Sequence, residues 1–246
     1  MYHIRHHGHG AAAALRWRPE WWITVVVAFA WVVLLATHGH RSYGPLPGPQ
    51  RGSGGMLVGL AGWALMAVAM MAPSTLPAVR HVGFNSIRRR RQWAMLLYFA
   101  VYLGVWVAFG VAALASERVA RETLGLDRRA LLTLALAVAA GWQLTRGKRR
   151  ALFACRRTVP LPPVGLRADA GCARFALQQG WRCVTSCWAL MAVMAVVGHS
   201  DHSGLVWMTA LTALVMVEDL TLLGRRLLRS SAVALIAAAG LVAVGI

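Results

Sequence analysis

Acidic residues are scarce in this sequence. Only 8 of 246 residues are Asp or Glu, against 26 Lys and Arg, and charged residues of all kinds make up 14% of the chain. A water-soluble globule of this size needs more polar residues to cover its surface. The composition therefore excludes an ordinary soluble domain, and 58% hydrophobic residues with a mean hydropathy of +0.56 indicate a membrane protein.

Several signatures of catalysis and of secreted folds are also missing. The sequence has no P-loop, HExxH or GxSxG motif, which excludes the usual nucleotide-driven pumps and common hydrolases. No histidine lies in the middle of an apolar segment, which argues against a membrane cytochrome with paired imidazole ligands to haem. The four cysteines, Cys155, Cys172, Cys183 and Cys187, lack the spacing of a disulfide framework, so we interpret them as free thiols or metal ligands.

Seven apolar segments have about the length needed to cross a bilayer. They cover residues 21–37, 56–79, 93–115, 130–144, 183–198, 205–223 and 231–246, and a helix rises about 1.5 Å per residue across a hydrocarbon core of about 30 Å. Lys and Arg lie mostly before the first segment and in alternate loops, which places the N-terminus inside. We therefore expect these basic residues to orient the chain in the lipid bilayer and not to bind nucleic acid.

The predicted fold is an all-α, polytopic transmembrane helical bundle of about seven spans. Residues 1–19 would form a His-rich cytoplasmic segment, and residues 20–246 a single transmembrane domain. The sequence WALMAV occurs at 63–68 and again at 188–193, in spans that the predicted topology runs in opposite directions. The recurrence indicates either an inverted repeat of three plus three spans with one extra C-terminal helix, or a coincidence in a chain rich in Ala, Leu, Val and Met.

Four sulfur-containing side chains share one face of the fifth predicted span. Cys183, Cys187, Met191 and Met194 are separated by four, four and three residues, which is the spacing of one helical stripe. Thiolate and thioether ligands select Cu(I) over hard cations. Met and Cys are also common as packing residues in membrane helices, so the metal interpretation is strongest for the two cysteines and Met191.

The second predicted span contributes three further thioethers. Met66, Met70 and Met71 lie in it, the last two at a depth similar to that of the fifth-span sulfur atoms, and Pro73 follows them. Pro73 has no N–H to donate to the carbonyl of Ala69, so we expect a kink and a free backbone oxygen there. A joint metal site between the second and fifth spans is geometrically feasible.

Two carboxylates lie within the sixth predicted span, where ionisable side chains are costly and face a partner, a cavity or a metal ion. Of Glu218 and Asp219, Glu218 lies deeper and is the better candidate for a metal ligand. The alternative is that Glu218 pairs with an arginine such as Arg182 or Arg225.

Borderline and hard ligands gather at the predicted outer ends of two spans. His38 and His40 follow the first span, and His199, Asp201 and His202 follow the fifth. Imidazole and carboxylate ligands suit Cu(II) or Zn, and two histidines from each loop could close a four-ligand site. The alternative is that these are ordinary polar loop residues.

Several stretches of the sequence resemble one family of bacterial proteins. The similar stretches lie within about residues 55–220 and read AGWALMAVAMMAPSTLPAV, YLGVWVAFG, GWQLTRGKRRALFACR, and CVTSCWALMAVMAVVG followed by WMTALTALVMVED. They are similar to the family of predicted metal-binding integral membrane proteins catalogued as a domain of unknown function. The resemblance implies a multi-span inner-membrane protein linked to copper, with some relatives associated with copper supply to tyrosinase-like polyphenol oxidases. It also implies roles for Met70, Met71, Pro73, Cys187, Trp188, Met191 and Glu218.

Two positions depart from the pattern of that family. Relatives often have a second cysteine where Ser186 precedes Cys187, so here Cys183, one turn earlier, would supply the second thiol. Relatives also often have Lys directly after the acid of the sixth span, whereas here Asp219 follows Glu218, which removes an intramolecular counter-charge.

These features together predict a non-enzymatic, copper-handling membrane protein. It would take up Cu(I) at Cys183, Cys187, Met70, Met71 and Met191 and relay it to an exported or membrane cuproenzyme such as a tyrosinase-like oxidase. The 19 residues from Cys183 to His202 would extend roughly 28 Å as a helix, close to the thickness of the hydrocarbon core. The alternatives are a copper-dependent membrane oxidase or monooxygenase component that uses the outer histidines, and an accessory structural subunit of a membrane complex.

Overall fold

The computed structural model of the protein describes residues 20–40, 53–155, 157–162, 165–197, 202–220 and 224–244. Within these ranges the side chains of residues 38–40, 53–56, 202–203, 220 and 224–226 lie outside the description.

The described residues form eight α-helices and no strand, which confirms the predicted all-α class. The helices are α1 (Trp21–His40), α2 (Ser53–Asn85), α3 (Arg91–Leu124), α4 (Arg128–Leu144), α5 (Arg146–Cys155), α6 (Leu166–Val197), α7 (His202–Leu220) and α8 (Gly224–Val244). Seven of them overlap the seven apolar segments of the sequence. The eighth, α5, lies in the basic loop before the fifth predicted span, and no helix was expected there.

Four helices are long and apolar enough to cross a membrane. These are the segments Leu57–Asn85, Arg91–Leu124, Leu166–Val197 and Leu227–Val244, and the shorter Trp21–Thr37 is also apolar. The length and composition of these helices are consistent with a membrane protein. The count of seven spans, the orientation and the inverted repeat stay predictions.

Helix α6 is the most buried of these apolar helices and occupies the centre of the bundle. It packs against α3, α4, α5 and α7, whereas α8 packs on α4 and α7, and α1 packs on α2. Helices α2 and α6 both pack on α3 and contact each other little. The predicted joint site between the second and fifth spans therefore has α3 as its third wall.

Helix α6 begins 17 residues before the predicted fifth span, at Leu166 instead of residue 183. Its first half carries polar residues that interrupt the apolar run, and a search for apolar runs therefore misses it. Phe175, Ala176 and Gln179 in this half are nevertheless buried, because they face neighbouring helices and not the surface. Tertiary packing thus decides where this helix starts.

The turn between α3 and α4 follows familiar capping rules. Gly125 ends α3 in the left-handed conformation with φ of 61°, which glycine adopts without steric cost. Asp127 precedes α4, and its carboxylate accepts a hydrogen bond of 2.9 Å from the Ala130 N–H.

The backbone oxygen that Pro73 leaves without a helical donor has a partner from another helix. The Trp31 Nε1–H group on α1 donates to the Ala69 carbonyl over 3.2 Å. Ser74 and Thr75 donate their hydroxyls to the carbonyls of Met71 and Ala72 within the same helix. The expected free oxygen is therefore satisfied by tertiary structure, as an apolar interior requires.

The two copies of WALMAV have different surroundings. Trp63 is fully buried, and its Nε1–H donates to the Trp106 carbonyl over 2.9 Å. Trp188 is only partly buried and lies edge-on to Trp142, with ring centroids 5.5 Å apart. A methyl group on Gly110 of α3 would lie 2.3 Å from the Trp63 ring, so this close approach of α2 and α3 requires glycine.

Candidate metal centre

Two thiols and one carboxylate converge where α6 meets α7. Cys183 and Cys187 are one turn apart on α6, and their Sγ atoms lie within 4.8 Å of each other and of a carboxylate oxygen of Asp219 on α7. Both cysteines are buried, and Asp219 is partly buried. We call these three residues the thiol–acid cluster. Within the described chain it is the one group of three or more His, Cys, Asp or Glu side chains close enough to hold a metal ion.

Helix α3 contributes a phenol that contacts the thiol–acid cluster. The hydroxyl of Tyr102 can donate to the Cys183 Sγ, 3.1 Å away, or to the Met71 carbonyl of α2, 3.4 Å away. Tyr102 is buried and stacks on Tyr98 with ring centroids 6.2 Å apart. The cluster therefore has a hydrogen-bonding neighbour that also links α2 to α6.

A buried ion pair lies directly beside the thiol–acid cluster. The Lys148 ammonium on α5 is 2.6 Å from Glu218 Oε2 on α7, with side-chain exposures of 0% and 1%. The Gln143 amide on α4 donates to Glu218 Oε1 over 2.6 Å, and Lys148 also donates to the Ser186 carbonyl over 3.0 Å. Four helices thus meet at one pair of charges, and the chain neighbours of Ser186 and Glu218 are Cys187 and Asp219.

Lys148 stays charged at this position. Burial by itself lowers the pKa of its ammonium, but the negative charges that Cys187 and Glu218 can carry outweigh burial and raise the pKa above its ordinary value. This direction favours the charged ammonium, which would balance part of the negative charge of the cluster.

The two acids of α7 have different neighbours. Glu218, the preferred metal ligand of the sequence analysis, belongs to the ion pair, and Asp219 lies beside the thiols. Lys148 supplies a counter-charge to Glu218, and Arg182 donates to the Ala154 carbonyl over 3.4 Å. The side chain of Arg225 lies outside the described residues.

The methionines of the predicted site are all buried. Met66, Met70, Met71, Met191 and Met194 are each at most 1% exposed and belong to one continuous core. Met191 and Met194 continue the stripe of Cys187 along α6. Of the three methionines of α2, Met71 is linked to the cluster through its backbone, since the Tyr102 hydroxyl lies within hydrogen-bonding distance of both the Met71 carbonyl and Cys183.

The histidines and the aspartate of the predicted outer site fall outside this description. The backbones of His38 and His40 end α1 and that of His202 begins α7, but their side chains are not among those described. His199 and Asp201 lie wholly outside the described residues. The outer four-ligand site therefore stays a prediction.

A cavity of about 270 Å³ opens onto the thiol–acid cluster. Its inner wall includes Cys183, Asp219 and Tyr102, and its outer rim includes the exposed residues Arg157 and Thr158. The segment 157–162 that carries this rim is tied to α2, because His81 Nε2 donates to the Val159 carbonyl over 3.0 Å. The cluster is thus buried, and the cavity leads from it toward the surface.

The sequence did not predict the positions of Lys148 and Tyr102 or the place of Asp219 beside the thiols. One feature of the sequence marks Lys148. It is the only lysine among the 26 Lys and Arg residues of the chain, and the others are all arginine. Lysine carries a compact ammonium and arginine a planar guanidinium, and the two are not interchangeable, so a single lysine among arginines marks a distinct position. No comparable signal marked Tyr102, since its position beside Cys183 depends on the packing of α3 on α6.

Comparison with known proteins gives one match. The comparison with curated proteins and the comparison with solved structures each returned no match. A family model described as "PpoB2: Copper chaperone" matches residues 60–242, which include all of the thiol–acid cluster, the ion pair and the cavity. This match extends beyond the stretch of resemblance seen in the sequence and includes most of α8. The chain belongs to the PpoB2 copper chaperone family.

Proposed function

We propose that this protein binds Cu(I) at Cys183 and Cys187 within the membrane and delivers it to a cuproenzyme. The observation that carries the proposal is the convergence of both thiols and the Asp219 carboxylate within 4.8 Å. Thiolates are soft ligands that prefer monovalent copper, and cysteines one turn apart on a helix can bind the same ion.

Asp219 would act on the bound cation chiefly through its charge. A carboxylate is a hard ligand and binds Cu(I) poorly, but its negative charge favours a cation in a buried site. The ion pair of Lys148 and Glu218 supports this arrangement, because it ties α7 to α5 next to the residue that has to face the thiols. We therefore assign Glu218 to positioning and Asp219 to the metal.

The onward route is proposed along the sulfur stripe of α6. Met191 and Met194 are buried one and two turns beyond Cys187, and thioethers, like thiolates, are soft ligands that select Cu(I). Met66, Met70 and Met71 would supply further thioethers from α2. Beyond them we propose the outer His38, His40, His199, Asp201 and His202 as Cu(II) or Zn ligands, in a seven-span protein of the bacterial inner membrane with its N-terminus inside.

The client that we propose is a tyrosinase-like polyphenol oxidase. The family is one of copper chaperones, and the resemblance of the sequence links relatives to copper supply for such oxidases. The protein itself would then perform no catalysis.

Copper content of the purified protein tests the proposal. Wild type, reconstituted with Cu(I) under anaerobic reducing conditions in detergent, is expected to retain copper through desalting. The Cys183→Ala/Cys187→Ala variant is expected to lose it. Cys172→Ala is the matched control, because Cys172 is also a buried α6 cysteine but donates its thiol to the Ala94 carbonyl, away from the cavity.

Equal copper in the wild type and the double variant would overturn the proposal. Copper that survives the double substitution but is lost from His38→Ala/His40→Ala would favour the oxidase alternative instead.

A further inference from the structure

Cys155 is the one cysteine of the four that is not fully buried. It is the last residue of α5, and it lines the same cavity as Cys183 and Asp219. Its sulfur does not belong to the thiol–acid cluster, so Cys155 is not a third ligand of a metal ion centred there. It lies instead on the wall of the cavity that leads from the cluster to the exposed Arg157.

The end of α5 is held firmly against α6. The Gln179 amide donates to the Cys155 carbonyl, and Arg182 donates to the carbonyl of the preceding residue, Ala154, over 3.4 Å. Gln179 lies one helical turn before Cys183, and Arg182 lies one residue before it. Cys155 therefore has a defined place relative to the cysteine pair.

The cavity also contains a polar atom without a partner. The Oε1 atom of Gln179 accepts no hydrogen bond from any residue in the described part of the chain, although this side chain lines the cavity and the residue is only 7% exposed. A buried amide oxygen without a donor is costly, and such groups point to something that occupies the site. Water molecules or the thiol of a copper donor would satisfy it.

We propose that Cys155 is the receiving ligand for Cu(I), which it takes from an anionic thiolate donor and passes to Cys183 and Cys187. This inference rests on the proposed function. A Cu(I) ion between two thiolates carries a net charge of −1, and the rim of the cavity presents the cation of Arg157. The complex is therefore attracted to this opening, which leads to the cluster.

The transfer is a ligand exchange in which copper stays monovalent. In the first step the Cys155 sulfur binds Cu(I), one donor thiolate leaves, and the proton of Cys155 moves to that thiolate. In the second step Cys183 and Cys187 bind the ion and lose their protons, one to the second donor thiolate and one back to Cys155. The charge of the copper complex is −1 before and after each step.

Uptake kinetics of the full-length protein in detergent test this inference. Cu(I) is supplied as its glutathione complex under anaerobic conditions, and copper not yet taken up is trapped at each time by a coloured Cu(I) chelator. Cys155→Ser is expected to slow uptake about tenfold, which corresponds to about 1.4 kcal/mol in activation free energy, with the final copper content equal to that of the wild type. Cys172→Ser, the control, is expected to match the wild type in rate and in final content.

Three results would overturn the inference. An unchanged rate in Cys155→Ser would show that Cys155 takes no part in uptake. A final copper content that falls together with the rate would make Cys155 a resident ligand and not a receiving one. If the wild type itself takes up no copper, the proposed function fails and this inference fails with it; the wild-type end point distinguishes that case from the other two.

Discussion

Lys148 and Glu218 approach to 2.6 Å between Nζ and Oε2 in the interior of the bundle, with no more than 1% of either side chain exposed. Because Lys148 also donates to the carbonyl of Ser186, one ammonium connects α5, α6 and α7. The residues next in the chain, Cys187 and Asp219, belong to the candidate metal site. Stability and the proposed copper binding would therefore depend on adjacent residues, and separate substitutions can test each of them.

Removal of the buried cation should destabilise the fold strongly. Lys148→Met leaves the carboxylate of Glu218 buried without its ammonium partner, and we expect a loss of about 3–5 kcal/mol in the free energy of unfolding. Unfolding in detergent, followed by circular dichroism, measures this loss. The control Arg149→Met changes the neighbouring, exposed residue and should stay within about 0.5 kcal/mol of the wild type.

The double variant Lys148→Met/Glu218→Met should recover most of that stability, since apolar replacement removes both charges of the pair. If Lys148→Met unfolds at the same point as Arg149→Met, the ion pair does not stabilise the protein.

The carboxylate beside the thiols should strengthen copper binding without being essential for it. Asp219→Asn keeps the shape of the side chain and removes its charge, so we expect the Cu(I) affinity to fall about tenfold, or about 1.4 kcal/mol. Competition with a coloured Cu(I) chelator measures the affinity. Glu122→Gln, at an exposed position near the end of α3, is the control and should leave it unchanged. An affinity of Asp219→Asn equal to that of the control would exclude Asp219 from the metal site.

The hydrogen bond between Trp31 and the Ala69 carbonyl should depend on the presence of Pro73. Trp31→Phe removes the indole donor and leaves a backbone oxygen unsatisfied, which should cost about 1–3 kcal/mol. Pro73→Ala restores an N–H to the helix, and Trp31→Phe should then cost less in the Pro73→Ala background. Unfolding of the four proteins in a double-mutant cycle measures this coupling. Additive effects would show that the indole does not serve the freed carbonyl.

Close packing of α2 on α3 should make Gly110 intolerant of any side chain. Gly110→Ala would place a methyl group 2.3 Å from the Trp63 ring, and we expect overpacking to cost about 1–3 kcal/mol. Gly104→Ala on the same helix meets no atom within 4 Å and is the matched control. It should be neutral or slightly stabilising, because alanine favours helix by about 1 kcal/mol over glycine. Thermal unfolding in detergent compares the two; equal melting temperatures would contradict the prediction.

Most helices were predictable because a run of apolar residues must be buried or in lipid, whatever its neighbours. Helix α5 and the first half of α6 were not, since RGKRR and the polar residues around Arg174 and Gln178 interrupt the apolar pattern. These segments are helical because one face of each packs on the bundle, as the buried Lys148 and Phe175 show. A composition-based search cannot detect a face that is buried by tertiary contacts.

The candidate site also has a part that the sequence predicts and a part that it does not. The stripe of Cys183, Cys187, Met191 and Met194 followed from helical spacing alone, and the structure places all four in the core. The sequence did not show which acid would lie beside the thiols, because Glu218 and Asp219 are adjacent and point in different directions from α7. Lys148 lies 70 residues before Glu218 in the chain, and its ammonium pairs with the Glu218 carboxylate. Asp219 lies beside the sulfur atoms instead.

The sequence by itself determined an all-helical, apolar protein with soft sulfur ligands along one helix, because composition and local periodicity are properties of the chain alone. Only the tertiary structure decided that Lys148 neutralises Glu218, that Trp31 satisfies the carbonyl freed by Pro73, and that Cys155 shares a cavity with Cys183. Each of these is a contact between residues far apart in the chain. Such contacts depend on how the helices pack, and local spacing does not specify that packing.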